Sequence, residues 1–127
     1  MKNFKPDNYN SVSPYLLVDD AHRMIKFLID LFDAKVERKY EYPEGKIVHA
    51  EVRIDDSIIM LANSTEQYPA LQYLMHVYVP DVDATFTKAV DLGCDIIEKP
   101  ANKNNEPDKR GTFRDFAGNM WSVSTQV

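Results

Sequence analysis

Val79-Pro80-Asp81-Val82-Asp83-Ala84 decides the fold, because it repeats in the second half what Val18-Asp19-Asp20-Ala21 has already done in the first. In each, an apolar run ends, acidic residues follow, and a helical pattern begins. A second pair of stretches repeats too. Val52-Arg53-Ile54-Asp55-Asp56-Ser57-Ile58-Ile59-Met60-Leu61 is echoed by Arg114-Asp115-Phe116-Ala117-Gly118-Asn119-Met120-Trp121-Ser122-Val123. Internal similarity fixes architecture before any single motif does. Each half is too small to be stable alone, so the two must pair, and the seam is where a pocket is expected.

The 127 residues suit one domain over 1–127, or two fused half-domains sharing a core. A net charge of -5, with the basic residues scattered, argues against nucleic acid, whose phosphates need a basic patch. No apolar run is long enough to span a bilayer, and no apolar signal segment follows Met1, so no membrane partner is expected. Cys94 is the single cysteine, which rules out an internal disulfide and fits a reducing, cytoplasmic home. It reads as a small buried apolar group rather than a nucleophile.

Working outward from the repeat, residues 1–11 read as a loosely held polar lead-in. Ser13 to Val18 is a short strand, and Asp19 or Asp20 caps a helix with Met24, Phe27, Leu28, Leu31 and Phe32 on one stripe. From Val36 the period changes to two, and Pro43-Glu44-Gly45 turns the chain. The strand from Ile47 to Ile54 enters a tight Asp55-Asp56 hairpin into Ser57 to Ala62. This βαβββ module covers 12–62, and a polar linker follows at 63–70. Module two, 71–126, repeats the order. It has a strand from Leu71 to Val79, a helix capped by Asp81 with Val82, Phe86, Ala89 and Val90 apolar, and Gly93 as its left-handed terminator. A short strand from Ile96 to Glu98 ends at Pro100. A polar loop over 101–108, a candidate lid, precedes a hairpin of Gly111–Phe116 with Met120–Thr125. The fold class is α+β: two paired βαβββ modules whose curved, incompletely closed mixed sheets surround a central cleft.

Strand alternation then separates core from cleft. Ala50, Val52, Ile54, Ile59, Leu61, Trp121 and Val123 belong under the helices. His49, Glu51, Arg53, Ile58, Met60, Met120, Ser122 and Ser124 belong to the cleft face, with Tyr15, Leu17, Leu74, His76 and Tyr78. His49 and Glu51 suit an imidazole base and an orienting acid. Such a strand face more commonly carries a partly solvated ion pair, here Glu51 with Arg53, with no chemical role. His76, among apolar neighbours, is expected at least half buried, either as a hydrogen-bonded core histidine or in contact with ligand. His22 faces solvent. Tyr40, Tyr42 and Tyr78 form either an aromatic wall or ordinary sheet packing.

The order and spacing of several motifs resemble the vicinal oxygen chelate superfamily, which includes glyoxalase I, bleomycin-resistance proteins and extradiol dioxygenases, and in particular its PhnB-like branch. The carriers are Ser13-Pro14-Tyr15-Leu16-Leu17-Val18, Phe27 with Leu31-Phe32-Asp33-Ala34, and His49-Ala50-Glu51-Val52-Arg53-Ile54. In the second half they are Val77 to Ala84, Asp108 to Thr112, and Arg114 to Ser122. The hairpin departs from the pattern, with Asp115-Phe116 for the usual Asp-Pro and Asn119 where the PhnB-like branch often has histidine. Metal-using members hold a divalent ion through positions that the resemblance maps onto Tyr15, Met60, His76 and Ser122. Of these only His76 is a good ligand, since a neutral phenol, a thioether and a hydroxyl suit a hard cation poorly. No metal or other cofactor is therefore expected.

The resemblance thus implies a metal-free small-molecule-binding protein that sequesters a partly aromatic ligand through Tyr15, Leu17, Arg53, Met60, His76, Tyr78, Met120 and Ser122. Alternatives are a metal-free enzyme using His49 with Glu51, or His76, as acid–base groups, and a metal-dependent lyase or dioxygenase. A homodimer is expected, with modules paired within one chain or exchanged between two.

Overall fold

The computed structural model describes residues 3–127, and among these the chain forms two helices and eight strands in two four-stranded mixed sheets. It divides into two compact units, residues 1–71 and 72–127. Neither sheet closes into a barrel. In unit 1 the order is β1 (Tyr15–Val18), α1 (Ala21–Phe32), β2 (Lys35–Glu41), β3 (Ile47–Ile54) and β4 (Ser57–Asn63). Unit 2 repeats it with β5 (Leu74–Tyr78), α2 (Val82–Asp91), β6 (Asp95–Ala101), β7 (Asp108–Arg114) and β8 (Met120–Gln126).

Strand order is β1-β4-β3-β2 in one sheet and β5-β8-β7-β6 in the other. In each, the first strand runs parallel to the last, and the crossover between them starts with the helix. Both helices begin where an aspartate carboxylate accepts a first-turn N–H, Asp20 from Arg23 and Asp81 from Ala84. Each also ends in a left-handed residue. Asp33 closes α1 at φ 55, and Gly93 follows α2 at φ 96. The Gly93 N–H reaches the Val90 carbonyl and the Cys94 N–H reaches Ala89, which is a Schellman closure.

The helix-facing layer of unit 1 holds Leu16, Val18, Ala50, Val52, Ile54, Ile59 and Leu61, all buried, beneath Met24, Ile25, Phe27, Leu28 and Leu31. In unit 2, Phe113, Trp121 and Val123 are fully buried and Phe86 packs edge-on to Phe113 at 6.0 Å. Several expectations need amending. Phe32 is only half-buried, and Ile25 takes a place in the apolar stripe. Val90 is exposed. Strand β6 continues through Pro100, which is tolerated because β6 is an edge strand with one side free of ladder bonds. Strand β7 begins at Asp108, so the intervening loop is shorter than expected. Asn63 belongs to β4, where its buried side chain accepts from the Ile47 N–H and donates to the Asp19 carbonyl.

The lead-in is also tied down rather than loose over residues 8–10, while its first two residues lie outside the described ones. Asn10 Oδ1 accepts from the Ile58 N–H at 2.9 Å, and Arg53 donates to the Asn8 carbonyl. Ile58 was expected on the open face and is fully buried. Cys94 is buried as expected, and burial, reinforced by Asp115 and Asp95, pushes its thiol up to about 12. Among the described residues no helix is long and apolar enough to cross a membrane.

Candidate functional site

The sheet face of unit 1 turned away from α1 collects its polar chemistry. Register sets Tyr15 beside Met60, Met60 beside Glu51, and Glu51 beside Arg38, one residue from each strand in a row. His49 precedes Glu51 by two positions, so both side chains emerge on this face. Its ring lies between those of Tyr15 and Tyr40, with centroids 5.6 Å and 6.5 Å away.

The side chains form a continuous hydrogen-bonded chain. Tyr15 Oη is 2.8 Å from His49 Nδ1, and His49 Nε2 is 2.7 Å from Glu51 Oε2. The other Glu51 oxygen accepts from Tyr9 Oη at 2.6 Å and lies 3.6 Å from Arg38 Nε. Glu51 is only 4% exposed. Burial alone would favour its neutral form, but donation by Tyr9 and His49, with the Arg38 charge, outweighs burial and holds the carboxyl below its ordinary value. A carboxylate there accepts only, so His49 Nε2 carries a hydrogen and donates. In the neutral imidazole Nδ1 then accepts, and the Tyr15 hydroxyl must donate to it. Burial, followed by the Glu51 charge, raises the Tyr15 phenol above its ordinary value, and burial with the Glu51 bond pushes Tyr9 up to about 12.

Glu51 does not pair with Arg53. Arg53 donates to Glu37 at 3.1 Å and, like Arg38, sets its guanidinium 5.6 Å from the Tyr9 ring centroid. Asp7, Asn8, Tyr9, Glu37, Arg53 and Asp56 line a shallow groove of about 600 Å³. Tyr9 and Arg38 were absent from the expected site. Arg38 stands opposite Glu51 through an irregular register between Val36 and Arg38, which alternation does not mark. Tyr9, a lone aromatic in a polar lead-in, carried no spacing signal. Leu17 is half-buried on this face, and its carbonyl accepts from the Leu71 N–H.

The corresponding face of unit 2 is built differently. His76 lies beside Ser122 in register, as Tyr15 lies beside Met60. It is exposed, along with Leu74 and Tyr78, because only Met75 and Val77 turn toward the helix side. Its Nε2 is 2.7 Å from the Oγ of Ser124, which shares this face as expected but is fully buried, and its ring meets Tyr78 edge-on at 4.7 Å. Partial burial, then the Arg110 charge, lowers the His76 pKa, with Asp108 opposing. Tyr78 donates to Asp108. Met120 and Ser122 are half-buried, and the Met120 N–H goes to the Tyr73 carbonyl.

The four positions that the family uses for a divalent ion do not fit one. In unit 1 the Tyr15 hydroxyl is engaged by His49, and its partner in the row is the Met60 thioether. In unit 2 a single imidazole, bonded to Ser124, stands beside the Ser122 hydroxyl. Among the described residues no three His, Cys, Asp or Glu side chains gather as a ligand set.

Comparison with known proteins agrees with this architecture. The family model of the glyoxalase/bleomycin resistance protein/dioxygenase superfamily matches residues 9–123. The chain belongs to that superfamily. An uncharacterised protein of Mycobacterium bovis is 30% identical over 128 residues, covering 92% of this chain and 84% of its own. Among solved structures, TioX from Micromonospora sp. ML1 superposes with a TM-score of 0.74 at 22% identity, covering 93% of this chain and 97% of TioX. The fosfomycin resistance protein FosX from Listeria monocytogenes gives 0.71 at 13% identity over 93% of both chains. TnmS3, an antibiotic-binding protein from Streptomyces sp. CB03234, gives 0.70 at 16% identity, covering 94% of this chain and all of TnmS3. At these identities the likeness to the solved structures is one of fold.

Proposed function

We propose that this protein binds a small, partly aromatic molecule without a metal ion, with the polar anchor of the site on the open face of unit 1. The observation that carries this is the Tyr15–His49–Glu51 chain, whose outer hydroxyl belongs to a residue 38% exposed while its inner carboxylate is buried. A pocket that orients a ligand needs a few fixed polar groups among apolar and aromatic ones, and Tyr15, Tyr40 and Met60 surround this one. Sequestration of an antibiotic-like compound is consistent with TnmS3, which is an antibiotic-binding protein of the same fold. Leu17, Arg53, His76, Tyr78, Met120 and Ser122 are proposed to contribute secondary contacts. The functional species is proposed to be a cytoplasmic homodimer, which sedimentation at micromolar protein would test.

The experiment is a thermal-shift screen of aromatic small molecules against chelator-treated protein. Binding raises the melting temperature by mass action, so specific hits that weaken in Tyr15→Phe are expected. A broad aromatic library without a single shift would overturn the reading.

One observation favours a second reading, a metal-free acid–base enzyme: the imidazole and carboxylate converge at 2.7 Å, instead of the carboxylate pairing with Arg53. Catalysed exchange of solvent deuterium into an activated C–H of a bound hit, abolished in His49→Gln, would select it over pure binding.

A further inference from the structure

We infer that the ligand class for the unit 1 face is a compound with an acidic hydroxyl, a phenol or enol, and that the protein takes it up as the oxyanion by accepting its proton. This inference rests on the binding reading above and deepens it. Donor and acceptor bookkeeping along the chain leads there. Ionised Glu51 cannot donate, so His49 must donate to it from Nε2. In its neutral form His49 then accepts at Nδ1, which commits the Tyr15 proton to that bond. What Tyr15 retains for a ligand is its oxygen lone pairs. A simple carbonyl or ether oxygen finds no donor there, whereas a ligand O–H does.

The transfer balances without any other reactant. The ligand O–H proton moves to Tyr15 Oη as the Tyr15 proton moves to His49 Nδ1. The ligand becomes an oxyanion, Tyr15 stays a neutral phenol and His49 becomes an imidazolium paired with Glu51. Tyrosinate never accumulates, so the cost of a phenolate beside the Glu51 charge is avoided. The imidazolium is stabilised by a carboxylate 2.7 Å away. The groups facing this unit are Tyr15 and Met60 on β1 and β4, Arg38 and Tyr40 on β2, Glu51 on β3 and Tyr9 from the lead-in. Tyr42 and Tyr68 also act on Tyr15 electrostatically. Of these, only Arg38 is a cation, and it is directed to Glu51.

The test uses 4-nitrophenol, whose phenolate absorbs in the visible, and its methyl ether 4-nitroanisole as the isostere without a proton. Full-length protein is titrated at a pH where free 4-nitrophenol is mostly protonated. The expected result is saturable appearance of the phenolate band, with the ether bound at least about tenfold more weakly. Tyr15→Phe and His49→Gln should each lose the band, with circular dichroism verifying that both remain folded. Should either misfold, the wild-type comparison of phenol with ether still decides. Binding of 4-nitrophenol without the band, or equal binding of the ether, would overturn the inference and leave the binding reading intact. Hits in the thermal screen with no binding of 4-nitrophenol would do the same. No binding by any aromatic compound would overturn both.

Discussion

Units 1 and 2 share strand order, parallel and antiparallel pairing and helix capping, yet each buries its one carboxylate of consequence in a different place. In unit 1 it is Glu51, 4% exposed in mid-strand on the open face, where it ends a hydrogen-bonded chain that begins at an exposed hydroxyl. In unit 2 it is Asp115, 5% exposed in the β7–β8 hairpin. Asp115 accepts from the Ala117 and Asn119 N–H groups and from Trp121 Nε1, at 2.8 to 3.0 Å. One carboxylate leads toward solvent, and the other is spent entirely on the backbone and a core indole. The same topology thus holds a buried charge in two settings, one within a chain of side-chain hydrogen bonds and one inside a hairpin.

The comparison predicts its largest effect at Asp115. Asp115→Ala removes the acceptor of three N–H groups, two of them in a turn that Gly118 closes at φ 87. Charge-assisted hydrogen bonds contribute about 1.5–3 kcal/mol each and are not additive, so a loss of about 3–5 kcal/mol is expected by urea denaturation. A loss below about 1 kcal/mol would erase the structural side of the contrast. Ligand binding on unit 1 should survive wherever the variant is folded.

Glu51→Gln comes next, and its signature is in pH rather than size. The folded-state pKa of Glu51 is lowered, so its ionisation stabilises the fold above the unfolded carboxylate value of 4.5, and that stability disappears as pH falls through the folded value. Wild-type stability should therefore decline on acidification below about pH 4.5 more steeply than that of Glu51→Gln. At neutral pH the variant should be less stable by about 1–2 kcal/mol, because Tyr9 keeps an acceptor while the charge opposite His49 is lost. Parallel curves for the two proteins across the acid range would show that Glu51 is not the ionised end of the chain.

The contrast explains what could be read from sequence. Capping aspartates, apolar stripes and period-two alternation are local signals, so βαβββ twice over was legible, as was the shared face of His49 and Glu51. The partners that give this face its character were not. Tyr9 reaches Glu51 across 42 positions of chain, and nothing local marks a lead-in that settles on a sheet. Arg38 outcompetes Arg53 for Glu51 because it stands directly opposite in the β2–β3 ladder, whereas Arg53, two residues along, meets Glu37. Alternation tells which side a residue faces; it does not tell which of two arginines wins. His76 was read as shielded because its sequence neighbours are apolar, but those neighbours on its own face are exposed with it.

The smallest expected effect lies where the helices end. Both terminate in a left-handed residue, Asp33 at φ 55 after α1 and Gly93 at φ 96 after α2. A Cβ at Gly93 meets nothing within 4 Å, so the difference between the two ends is one of backbone and charge rather than packing. An L residue pays for the left-handed region, and a carboxylate at a helix C-terminus sits against the negative end of the dipole. Asp33→Gly should thus stabilise the protein by about 0.5–1 kcal/mol even after glycine's greater unfolded-state freedom is deducted. Gly93→Ala should cost about 1 kcal/mol. If Asp33→Gly destabilises instead, the Asp33 side chain makes a favourable contribution that outweighs its backbone strain, and the two helix ends are not equivalent solutions to one turn.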